Sequence, residues 1–140
     1  MEAHIMNSKI ARQLLLKEVQ KEFTMAYPFL KIDFTRGKGG RIDLTRGKGD
    51  ETGIVNGHVG EGDQEMAAHM KARELLWDKF GVTDNMKVEE LEVLLQYEFG
   101  LPAQVLRKSG NMWLETRMTQ HWTLRQQNDH GLDMASIINF

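Results

Sequence analysis

The order of apolar and polar positions divides the chain into helical and extended segments. Ile10, Leu14, Leu15, Val19, Phe23 and Ala26 recur at helical spacing, with Lys17, Glu18 and Lys21 between them. The spacing predicts a helix over 8–26, capped by Asn7 or Ser8 and ended by Pro28. The residue before a proline is pushed toward extended geometry, which suits the change that follows. Leu30 to Thr35 alternates: Leu30, Ile32 and Phe34 point one way, Lys31, Asp33 and Thr35 the other. This is the pattern of a half-buried strand.

A direct repeat comes next. Ile32-Asp-Phe-Thr-Arg-Gly-Lys-Gly39 is followed by Ile42-Asp-Leu-Thr-Arg-Gly-Lys-Gly49. The simplest structure for it is a hairpin of strand 30–35, loop Arg36 to Gly40 and strand 41–45. The glycines that continue to Gly62 predict a flexible segment over 46–62. Asp63 then reads as the N-cap of a helix with Met66, Met70, Trp77 and Phe80 on one side and Gly81 at its end. Asp84 or Asn85 is the expected cap of the next helix. Its stripe is Val88, Leu91, Leu94, Leu95 and Phe99, and Gly100 is its terminal glycine.

The stretch 101–128 is the best specified. Ala103, Val105 and Arg107 alternate with Gln104, Leu106 and Lys108, and Ser109-Gly110-Asn111 makes a turn. Met112, Leu114 and Thr116 then alternate with Trp113, Glu115 and Arg117. Thr123 and Gln126 form a capping box for a last helix that Gly131 is expected to close, leaving an apolar tail MASIINF to dock on the domain or on a second copy. The fold expected is a single α+β domain over 1–140. Its mixed or antiparallel sheet has about four strands, from hairpins at 30–45 and 102–117, with helices 8–26 and 86–99 on one face.

Composition narrows the functional classes. With 140 residues the prior is one domain, and no cysteine is present, so disulfides, thiolate metal sites and cysteine nucleophiles are excluded. No apolar run approaches the roughly 18 residues of a membrane span, and no apolar region precedes the first helix as a secretory signal requires. The expectation is a cytoplasmic protein with no membrane partner. The net charge of −2 hides an uneven distribution: residues 31–49 sum to +4 and residues 50–99 to −8. Such polarity is compatible with self-association or with an anionic partner.

The motifs of phosphate chemistry fail. Gly-Lys occurs at 37–38 and 47–48, but Ile32 and Ile42 stand where a phosphate loop needs glycine, and Gly39 and Gly49 where it needs Ser or Thr. Arg36, Lys38, Arg41, Arg46 and Lys48 remain as a basic, glycine-spaced run that could hold anions or a nucleic-acid backbone. The five histidines include no HExxH metal motif, and no cofactor is implied. Trp113, Glu115, Arg117 and His121 form the one row with catalytic functional groups. With Trp122 and Gln127 they make a candidate ligand or partner surface. The same row serves equally as the exposed face of an edge strand, with Glu115 and Arg117 opposing aggregation.

The pattern VEELE, FGL, QVLRKSGN, WLET and WTL over Val88–Gly131 resembles small bacterial proteins of unknown function. The helix-then-hairpin order is similar to ubiquitin-like and other small α+β modules, a likeness of fold level that implies no activity. Three functional expectations follow: a non-enzymatic module that self-associates as a homodimer; an anion or nucleic-acid binder acting through 36–48; and an enzyme using the Trp113 row.

Overall fold

The computed structural model describes residues 8–35 and 61–138. Helix α1 (Ser8–Ala26) leads into strand β1 (Leu30–Phe34). Helix α2 (Glu61–Arg73) continues into a π-helical turn, Glu74–Lys79. Helix α3 (Val88–Phe99), strands β2 (Ala103–Ser109) and β3 (Met112–Glu115), a 3-10 turn (Arg117–Thr119) and helix α4 (Leu124–Ile138) follow. The architecture is α+β with an antiparallel three-stranded sheet in the order β1-β2-β3. Among the described residues that is one strand fewer than expected. The expected strand 41–45, the basic residues Arg36, Lys38, Arg41, Arg46 and Lys48, and residues 46–60 lie outside the described residues.

The partner of β1 is β2, in the register Leu30↔Arg107, Ile32↔Val105 and Phe34↔Ala103. On the opposite side of β1, α1 satisfies the backbone. Thr24 donates its hydroxyl to the Leu30 carbonyl at 2.9 Å, and Gln20 donates its amide to the Ile32 carbonyl at 2.9 Å. Two polar side chains on the helix thus do the work of a neighbouring strand.

The core lies on the face of the sheet that carries Leu30, Ile32, Phe34 and Val105. Val19 and Phe23 from α1, Leu91 and Leu95 from α3, Leu76 from the π-turn and Leu124 from α4 are buried with them. Phe34 meets Phe99 edge to face at 5.7 Å between centroids. Arg12 donates to the Phe99 carbonyl at the end of α3, and Gly100 takes the left-handed conformation, φ 68°, that ends the helix.

Four sequence expectations need correction. In α1 the buried side carries Leu16, Glu18 and Glu22 beside Val19 and Phe23, while Ile10 is exposed. The cause is α2, which packs against α1 and offers partners to the acids. Glu22 accepts from Arg73 at 2.7 Å and from the Trp77 indole at 2.9 Å, and Glu18 lies 3.2 Å from His69. In α2, which begins before Asp63 and so does not use it as a cap, the buried positions are Ala68 and Ala72, continued by Leu75 and Leu76 in the π-turn, and Met66 and Met70 face outward. Small residues let the two helices approach. The π-turn, with Phe80 donating to the Leu75 carbonyl, changes the angular spacing where Leu75 and Leu76 both turn inward.

The cap of α3 is Lys87, whose N–H is taken by Glu90 at 2.9 Å. Asp84 instead accepts from the Tyr27 hydroxyl at 2.8 Å and, through its carbonyl, from the Arg125 N–H. Finally, α4 does not end at Gly131. It runs on to Ile138, taking in most of the apolar tail. Gly131 is the point where the helix touches the chain entering β1. A Cβ there would stand 2.6 Å from the Phe29 Cβ. Among the described residues, no helix is long and apolar enough to cross a membrane.

Helix propensity alone favours alanine over an interior glycine by about 0.5–1 kcal/mol. At Gly131 the collision with Phe29 outweighs this. Gly131→Ala should destabilise the fold by about 1–3 kcal/mol, read as a lower denaturant midpoint. Gly62→Ala, with nothing within 4 Å of the new methyl, should leave the midpoint unchanged or raise it.

Candidate interaction surface

The register of the sheet sorts the strand residues into two faces. Lys31, Asp33 and Thr35 lie on the side away from the core with Gln104, Leu106, Lys108, Trp113 and Glu115. The turn at Gly110, φ 64°, sets this arrangement, because it pairs Ser109 with Met112 and so Lys108 with Trp113. Trp113 is half-buried. The Lys31 ammonium stands 4.9 Å from its ring centroid and the Lys108 ammonium 5.8 Å. Each strand therefore contributes one side chain to a cation–π group. Leu106, in the row between Lys31 and Glu115, is buried.

One end of this face opens into a shallow cleft of about 320 Å³, lined by Thr35, Glu92, Pro102, Gln104, Arg117 and Gln120 among others. Glu92 projects from α3 and accepts from the Val105 N–H at 2.9 Å and from the Gln120 amide at 2.9 Å. The Val105 carbonyl accepts from the Thr116 hydroxyl at 2.7 Å. Val105 lies one step beyond the last β2–β3 pair, Leu106↔Glu115. Side chains of Glu92 and Thr116 thus replace the backbone partners that a longer β3 would supply, and the strand can stop at Glu115. Burial holds the Glu92 carboxyl above the usual carboxylate range, against the lowering effects of the Val105 and Gln120 bonds and of the nearby Arg117 charge.

The predicted surface residues are distributed as follows. Trp113 and Glu115 share the outer sheet face. Arg117 lies at the cleft, and His121 is exposed beyond the 3-10 turn and is not part of the cleft lining. Trp122 belongs to a second concavity, on the outer side of α4, with Gln126, Asp129, His130 and Asp133. Its ring meets His130 edge to face at 5.6 Å. Gln127 is fully buried. It accepts from Arg107 at 2.7 Å and donates to the Thr119 carbonyl at 2.9 Å, so its amide ties α4 to β2 and to the 3-10 turn. Among the described residues, no cluster of His, Asp and Glu could hold a metal ion. Lys31 and Glu92 had no place in the sequence-based surface. Lys108 could have been placed opposite Trp113 from the turn alone; Lys31 and Glu92 arrive through long-range pairing that no local pattern encodes. No family model, curated protein or solved structure matches the chain.

A carboxyl whose folded pKa is raised binds its proton more tightly in the native state. Between the unfolded value and the raised folded value, stability therefore falls as pH rises. Glu92→Gln removes that dependence. Thermal melts of both proteins across this window should show the variant gaining on the wild type as pH increases; a constant difference in Tm would contradict the assignment.

Proposed function

We propose that the chain is a non-catalytic interaction module that self-associates by pairing its β3 edges. The observation that carries this reading is the contrast between the two edges of the sheet. The outer side of β1 has its Leu30 and Ile32 carbonyls bonded by α1. In β3 the register turns the Met112 and Leu114 backbone toward β2 and that of Trp113 and Glu115 outward. Among the described residues, no partner meets those outward groups. Met112 and Leu114 are exposed, at 63% and 37%, and Met118 just beyond them is exposed at 89%. An unpaired strand edge flanked by apolar side chains is a template for another strand. A two-fold axis through β3 would make the contact self-complementary and closed, giving a dimer rather than a fibre.

The catalytic reading has less support. Glu92 is the one carboxyl in the cleft lining, and both its oxygens already hold the fold together. Arg117 and His121 do not converge with Trp113 on one cavity.

Sedimentation over a concentration series tests the proposal. The wild type should pass from monomer to dimer. Leu114→Lys, which places a charge beside the edge without altering the β2 register, should weaken dimerisation by roughly tenfold or more. A protein that stays monomeric at every concentration would remove the reading.

A further inference from the structure

Lys31 and Lys108 bring two like charges onto one indole, and neither ammonium forms an ion pair with a described residue. Such convergence is costly in isolation and favourable once an anion lies between the charges. A simple anion would not need the ring. Trp113, on the edge strand β3, supplies a π-face on the sheet's outer side, where a base can stack. Along the same face, four residues of β2 from Lys108, Gln104 borders the cleft that holds the exposed Arg117. At roughly 3.3 Å per residue the cleft begins about 13 Å along β2 from Lys108, within reach of a short extended strand whose base rests at the lysine end.

We infer that the outer face of the sheet binds single-stranded nucleic acid, with a base on Trp113 and phosphates at Lys31, Lys108 and Arg117. The site uses the side chains that Trp113 and Glu115 present on the outer face, whereas self-association uses the outward backbone groups of the same strand. Charge complementarity selects the occupant: among the described residues, Lys31 and Lys108 on the face and Arg117 at the cleft supply three cations, Asp33 on the same face is buried, and Glu115 is the exposed acid. That carboxylate, on the same strand as Trp113, opposes the ligand and weakens binding.

The test is fluorescence anisotropy of a labelled deoxythymidine oligonucleotide titrated with the full chain, alongside quenching of the intrinsic tryptophan emission. Binding should weaken with salt at a log–log slope of about −2, as for three phosphate contacts on a single strand. The double substitution Lys31→Ala, Lys108→Ala should reduce affinity roughly tenfold or more. Trp113→Phe should remove most of the quenching, and Glu115→Gln should tighten binding. Glu115→Gln touches no core residue and keeps the proposal testable should a Trp113 variant fail to fold. Failure of Lys31→Ala, Lys108→Ala to weaken binding would overturn the site, as would an equal response to duplex DNA, heparin or inorganic phosphate, which offer charge without an accessible base. Loss of dimerisation in Leu114→Lys with oligonucleotide binding intact would separate this inference from the β3-edge reading.

Discussion

Satisfaction of the backbone at the margins of a three-stranded sheet is the constraint on which the rest of the structure depends. A sheet this small has as much edge as interior, and each unpaired N–H or C=O removed from water costs about as much as a lost hydrogen bond. The fold meets the demand with side chains. Thr24 and Gln20 serve the carbonyls of Leu30 and Ile32, while Glu92 and Thr116 serve the two backbone groups of Val105. These four contacts decide where the strands lie, how far β3 runs and which helix sits where. Glu92 illustrates the cost: its carboxyl is held away from water, and its pKa rises, because its position between α3 and β2 is dictated by the end of a strand.

The same accounting explains why acids line the contact between α1 and α2. Glu18 and Glu22 are buried in a region that would otherwise be apolar, and each has a partner supplied by α2. Arg73 and Trp77 both reach the same Glu22 oxygen. Removal of either donor leaves a buried carboxylate short of a partner, a larger loss than the net worth of the pair. The contact thereby fixes how α2 lies along α1 more than it adds to total stability, since hydrophobic burial by Leu16, Val19, Ala72 and Leu76 carries the larger share.

Local patterns were legible where the physics is local. The C-terminal end of α1, the Gly110 turn and the Thr123–Gln126 box follow from spacing and capping chemistry and stand in the structure as expected, whereas β1 buries Asp33 along with Leu30, Ile32 and Phe34. Long-range choices were not legible. The pairing of β1 with β2, far along the chain, is named by no local pattern. Gly131 looked like a helix end because glycine commonly ends helices, and only the approach of Phe29 shows why it sits inside one. The candidate surface divides in the same way. Trp113 opposite Lys108 follows from the turn, but Lys31 joins them only through the β1–β2 register, and Gln127, polar in a capped helix, turns inward to meet Arg107.

One sheet edge is closed by side chains of α1, and we propose that the other pairs with that of a second copy. Amide hydrogen exchange read residue by residue at low and high protein concentration tests it most directly. Pairing through β3 should raise protection of the Trp113 and Glu115 amides with concentration, while the Met112 and Leu114 amides, already paired with β2, change little. Exchange at Trp113 and Glu115 that is the same at every concentration would contradict it.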